Sequence, residues 1–130
     1  MKVDINIEDG KADVQIDSSD LWSLDFTLSK IIYPALIKFK EEETGNPAID
    51  KEDVPEYLHS TYGTEGDHSE NYSREAWIWL LDEMIWAFGQ NANENPDEPQ
   101  GWWGAAYKEY HERQKNAFRL FGKYFRSLWN

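Results

Sequence analysis

Apolar and polar residues alternate along "VDINI" (residues 3–7) and "ADVQI" (residues 12–16), with Asp9-Gly10 between the two runs. Period-two alternation is the pattern of a strand with one apolar face, and Asp-Gly is a strong hairpin signal. Counting outward from that dipeptide pairs Glu8 with Lys11, Ile7 with Ala12, Ile5 with Val14, Val3 with Ile16 and Lys2 with Asp17. One face is then apolar and both charged pairs are complementary. The first 17 residues are therefore expected to form a hairpin that packs on the rest of the chain, since an isolated hairpin is marginal.

From residue 20 the period changes. Leu24, Leu28, Ile31, Ala35 and Ile32, Leu36, Phe39 recur at steps of three and four after the N-cap candidates Ser18, Ser19 and Asp20, predicting a helix over 20–44 that Pro34 should kink. Residues 46–72 are turn-rich and acidic, with a short helical turn expected at "DVPEYL" and a polar loop at "TYGTEGDHSENYS". Ser73 caps a second helix, 74–89, where Trp77, Leu80, Leu81, Met84, Ile85 and Phe88 form a core stripe. Trp79 and Trp86, seven apart, fall together on another face. After a Gly/Asn/Pro loop the last helix, 104–129, places Tyr107, Tyr110, Gln114, Phe118, Phe121, Phe125 and Leu128 on one side. Lys108, Lys115, Arg119, Lys123 and Arg126, with Glu112 among them, lie opposite. The expected fold is α+β but mostly helical: one domain, 1–130, with an N-terminal β-hairpin packed on a bundle of three main helices.

Charge sharpens the picture. The 130 residues carry a formal net charge of −12, yet from Tyr107 onward six Lys/Arg face only Glu109 and Glu112, a local +4 that leaves −16 for the remainder. Such acidity argues against direct DNA binding, which needs cations to displace phosphate counterions. It suits a carboxylate surface that competes with nucleic acid for a basic partner, with solubility as the plain alternative. No apolar run reaches the roughly 18 residues of a membrane span, and the opening residues lack a signal-peptide pattern, so the expected setting is cytosolic. Cysteine is absent, and His59, His68 and His111 have no zinc-ligand spacing.

Longer motifs add a resemblance. "LWSLDFTLSKIIYPALIKFK", "DVPEYLHST", "WIWLLDEMIWAF" and "HERQKNAFRLFGKYFRSLWN" occur in the same order in a widespread group of small tailed-bacteriophage proteins, which this chain resembles over most of residues 20–130. The matching positions include Trp22, Ser23, Asp25, Thr27, Leu28, Trp79, Leu81–Phe88 with Trp86 excepted, Arg113, Leu120–Tyr124, Leu128 and Trp129. The chain departs from that group at Ser29, where Ala is usual, and at Asn130, where Asp is usual. The resemblance implies a phage source and a host bacterial cytoplasm. It implies no reaction.

Three classes of function remain for the residues to discriminate. Glu41, Glu42, Glu43, Asp82 and Glu83 suggest a Mg-dependent nucleotide hydrolase, in which carboxylates on facing helices hold the metal. Such a site wants acids three or four apart, whereas these are mostly consecutive and fan around their helices. Neither a nucleophile–base set nor a phosphate-binding glycine loop is present. No metal or cofactor is expected, and binding is favoured over catalysis. The second class is capture of a small anionic, nucleotide-like ligand, such as an immune signal in counter-defence, by Trp79, Trp86, Trp102, Trp103, His111 and Arg113. Its plain alternative is tryptophans filling a thin helical core. The third is an acidic, nucleic-acid-mimicking or protein-binding inhibitor of a basic host protein. The aromatic face of the last helix also fits a homodimer.

Overall fold

The computed structural model describes residues 1–94, 97–101 and 103–129. The chain runs through β1 (Lys2–Asn6), β2 (Lys11–Gln15), α1 (Leu24–Glu42), α2 (Arg74–Asn91) and α3 (Ala105–Lys123). Short 3-10 turns lie at Ser18–Leu21, Lys51–Asp53, Glu56–Thr61 and Phe125–Ser127. The fold is α+β and mostly helical, an N-terminal antiparallel hairpin joined to three main helices.

The hairpin register differs from the one read off Asp9-Gly10. Ile5 pairs with Ala12, Val3 with Val14 and Asp4 with Asp13, leaving a four-residue loop, 7–10. The reason is local. Asn6 Oδ1 accepts from the backbone N–H of Glu8 (3.0 Å) and Asp9 (3.4 Å), and Asp9 Oδ1 accepts from the N–H of Lys11 (2.9 Å). These side chains close a wider turn that Gly10 completes at φ +69°. A two-residue slip keeps every side chain on its expected face, so the apolar face survives. It remains open: both strands are exposed along their whole length.

Asp20 ties the N-terminus to the 3-10 turn at Ser18–Leu21. Its carboxylate accepts from the N-terminal ammonium of Met1 (3.0 Å) and from the N–H of Asp17 (2.8 Å). The hydrogen bond from Asp17, then that from the ammonium, holds the Asp20 carboxyl below the ordinary range. The N-cap candidates thus form a 3-10 turn, and α1 starts only at Leu24, with Pro34 inside it on the exposed side.

α2 is the centre of the bundle, with α1 against one side and α3 against the other. Ser73 caps it, its Oγ accepting from the N–H of Ala76 at 3.1 Å. Trp77, Leu80, Leu81, Met84 and Phe88 are buried, as the stripe predicts, with Ile85 partly so, and Ala76 and Ala87 are buried beside them. Each large apolar side chain buried this way contributes about 1.5–3 kcal/mol. The segment read as a turn-rich connector also enters the core, through Ile49, Val54, Leu58 and Tyr62. Val54 and Tyr62 are the extended residues that follow the two 3-10 turns, and Leu58 lies within the second. Ser29 is buried and accepts a hydrogen bond from Asn91 Nδ2 at 2.9 Å, linking α1 to the end of α2.

α3 is rotated from its expected placement. Ala117, Leu120 and Tyr124 are buried and Phe121 and Leu128 pack on the core, whereas Phe118 and, just past the helix end, Phe125, both assigned to the core by the helical wheel, stay exposed. The cause lies in ionic contacts on its other side.

Candidate functional site

Two of the helices bring half of the anticipated ligand residues together. Trp86 on α2 and Arg113 on α3 stack, the guanidinium carbon 3.8 Å from the centre of the indole. Arg113 Nε and Nη2 donate to the two carboxylate oxygens of Glu83, one turn before Trp86, at 3.1 and 2.6 Å. These bonds keep the guanidinium charged more firmly than usual. Tyr110 meets the Trp86 ring edge-on at 5.4 Å. His111 packs between Tyr110 and Tyr107, with Nε2 3.5 Å from Glu98 Oε1.

The surroundings of this cluster are acidic. Trp86 Nε1 donates to Asp97 Oδ2 (3.1 Å), and Gln90 Oε1 accepts from both the N–H of Asp97 and the hydroxyl of Tyr110. A recess of about 200 Å³ beside Trp86 is lined by Tyr33, Ile85, Gly89, Gln90, Glu94 and Asp97. An anion entering here would have to displace Glu83 from Arg113 and then face Glu94 and Asp97.

The remaining tryptophans are elsewhere. Trp79 is half-buried and packs on the core. Trp103 is 80% exposed, well away from any core role. Trp102 lies outside the described residues. The six residues anticipated as one ligand set therefore resolve into Trp86, His111 and Arg113 in one cluster, with Trp79 and Trp103 apart from it.

Pattern reading missed a buried carboxylate. Asp53, 6% exposed, accepts from Lys123 Nζ (2.6 Å), Tyr124 Oη (2.6 Å) and Arg119 Nη2 (3.0 Å). Burial alone would raise its pKa, but the hydrogen bonds from Lys123, Tyr124 and Arg119 together outweigh it and hold the carboxyl below its ordinary value. Lys123 also reaches Asp50 (2.7 Å), and its bonds to Asp50 and Asp53 push its pKa up. Tyr124 accepts in turn from the N–H of Asp50 at 3.1 Å. Burial, then the bond to Asp53, raises the phenol pKa. Arg119 and Lys123, expected on an outward stripe, are thus the anchors that turn α3 toward residues 50–53. The only signal in the sequence was an acid at the apolar edge of "DVPEYL", four before Tyr57, and acids there are ordinarily solvated.

Four of the five acids that suggested a metal hydrolase hold a partner inside the chain. Asp82 pairs with Lys40, Glu83 with Arg113 and Glu42 with Lys38. Glu43, its side chain wholly buried, receives the indole N–H of Trp77 (3.2 Å) and the charge of Arg74, 2.6 Å away. Among the described residues no group of three His, Asp or Glu is placed to hold a metal ion.

One broad recess of the surface is acidic. A recess of about 670 Å³ is lined by Ile49, Asp50, Lys51, Glu52, Glu65, Glu70 and Asn71. Glu70 Oε2 accepts from the N–H of Gly66 at 2.8 Å, fixing one wall. No helix among the described residues is long and apolar enough to cross a membrane. No protein family, curated protein or solved structure matches the chain.

Proposed function

We propose that the chain is a non-catalytic accessory protein of a tailed phage that works in the host bacterial cytoplasm by covering a basic surface of a host protein. The observation that carries this reading is the internal engagement of most of the cations. Arg74, Arg113, Arg119, Lys123, Lys30 and Lys40 are all paired with acids of the same chain. Against a net charge of −12, the outward surface is dominated by carboxylates, four of them around one open recess. Such a surface attracts Lys/Arg-rich patches and repels nucleic acid and small anions.

The experiment is recovery of host proteins from a bacterial lysate on immobilised chain, with and without the changes Glu52→Gln, Glu65→Gln and Glu70→Gln together. One basic protein retained at low salt, released as salt rises and missing from the triple variant supports the reading. Equal retention by the variant overturns it.

A second reading, capture of a nucleotide-like ligand, is favoured by one feature, the stacked Trp86–Arg113 pair beside Tyr110. A planar base could take the place of the guanidinium over the indole. Calorimetry with linear and cyclic nucleotides, and with Arg113→Ala as control, separates the two readings.

A further inference from the structure

The single chain leaves two apolar surfaces uncovered, and neither covers the other. The first is the hairpin face formed by Val3, Ile5, Val14 and Ile16, between 44% and 57% exposed. The second is a stripe on α1, Leu24, Leu28 and Ile31, spaced by four and three and exposed to about the same degree. At Ile31 this stripe runs into a groove of about 280 Å³ between α1 and the end of α3, lined also by Ile32, Ala35, Phe39, Phe125 and Leu128. A sheet face and a helix stripe are the two halves of an ordinary α-on-β layer.

We infer that a second copy of this chain supplies the cover, the hairpin face of each protomer lying on the α1 stripe of the other about a twofold axis. Three observations favour a copy over a foreign protein. Both complementary surfaces belong to one chain, so a twofold satisfies each with the other, as a self-complementary interface requires. The area fits: a folded chain of 15.3 kDa exposes about 7,100 Å², whereas this one exposes 9194 Å². The surplus, about 2,000 Å², exceeds the roughly 800 Å² per partner that a standard interface buries. Finally, a two-stranded hairpin with an open apolar face is marginal by itself and gains a fixed shape only when that face is packed.

The interface also keeps the acidic recess free, since its lining residues, 49–52, 65, 70 and 71, are on neither surface. Dimerisation and recognition of a basic partner then act through separate parts of the chain, and failure of one leaves the other standing.

The test uses the full chain and two single variants, Ile5→Lys and Leu28→Glu, both at exposed positions. Sedimentation equilibrium of the wild type is expected to give twice 15.3 kDa. Each variant alone should weaken association by about a hundredfold, because two like changes bury unpaired charge. Their helical circular dichroism should match the wild type. Mixing the two variants restores a dimer, since one of its two contacts is then native and the other opposes Lys with Glu. A wild type that sediments as a monomer across the accessible concentrations, a dimer untouched by both variants, or a mixture that stays monomeric would each overturn the inference.

Discussion

Asp53 and Lys123 stand 70 positions apart in the chain and meet at 2.6 Å, where a buried carboxylate draws the end of α3 onto the 3-10 turn before "VPEYL". This contact, shared with Arg119 and Tyr124, sets the rotation of α3 and so decides which of its aromatic residues are buried.

Removing the carboxylate leaves Arg119 and Lys123 without their shared acceptor and a buried hole beside Tyr124. Asp53→Ala should cost about 2–4 kcal/mol of unfolding free energy. Tyr124→Phe, which loses only the hydroxyl, should cost about 1–2 kcal/mol. Urea unfolding monitored by circular dichroism measures both.

The same contact sets the acid limb of stability. The Asp53 pKa is lowered in the folded chain, so its contribution is complete above the ordinary carboxylate value near 4 and is lost as pH falls through the lowered value. At the alkaline end the signs reverse. Lys123 and Tyr124 are raised, so their contributions hold below the ordinary values near 10 and are lost as pH climbs toward the raised ones. Unfolding free energy against pH should therefore fall at both ends, and Asp53→Asn should flatten the acid limb.

Tyr62 carries a hydroxyl that is buried without a hydrogen-bond partner. It lies close enough to Asp50 and Asp53 for their charge to add to the effect of burial in raising its pKa. An unsatisfied buried hydroxyl costs free energy, so Tyr62→Phe should leave the fold intact and stabilise it by about 1 kcal/mol. Thermal unfolding that moves downward would contradict the assignment.

Gly89 shows where a good helix former fails. A Cβ at this buried position of α2 would sit 2.8 Å from Cε2 of Tyr33, inside contact distance of a ring packed against the core. The gain in helix propensity, about 1 kcal/mol, is smaller than an overpacking penalty of about 1–3 kcal/mol. Gly89→Ala should be net destabilising by about 1 kcal/mol, and Tyr33→Ala in the same background should reverse its sign.

How much of this was legible in the sequence divides by physical cause. The helices and the α2 core stripe follow from periodicity, because Trp77, Leu80, Leu81, Met84 and Phe88 all enter one core cluster. The hairpin was legible, but not its register, which depends on Asn6 and Asp9 side chains bonding to their own loop. The orientation of α3 was legible only in part: Phe121 and Leu128 pack on the core as the wheel has them, but Phe118 and Phe125 are as apolar as Leu120 and stay exposed. The choice was made by Asp53, and nothing local marks one acid among 25 Asp and Glu as buried. For the candidate ligand set the wheel grouped Trp86 with Trp79, but Trp79 packs on the core while Trp86 stacks on Arg113. Whether Arg113 was free for a ligand depended on Glu83 reaching across from another helix.

The Trp86–Arg113 stack itself is open to a direct check. Arg113 is half exposed, so its ion pair with Glu83 should contribute only about 1 kcal/mol, decreasing with salt. Arg113→Ala should uncover the Trp86 ring, and indole fluorescence quenching by iodide should rise relative to the wild type.

The central claim is that the cations a small anion would need, Arg113 above all, are engaged within the chain and that the binding surface is carboxylate. Calorimetric titration of one sample series, an arginine-rich peptide against a nucleoside triphosphate, tests it most directly. The account predicts saturable heat with the peptide, weakened by salt and by the Glu52→Gln, Glu65→Gln, Glu70→Gln triple change, and no saturable heat with the nucleotide. Saturable nucleotide binding that Arg113→Ala abolishes, with none for the peptide, would contradict it.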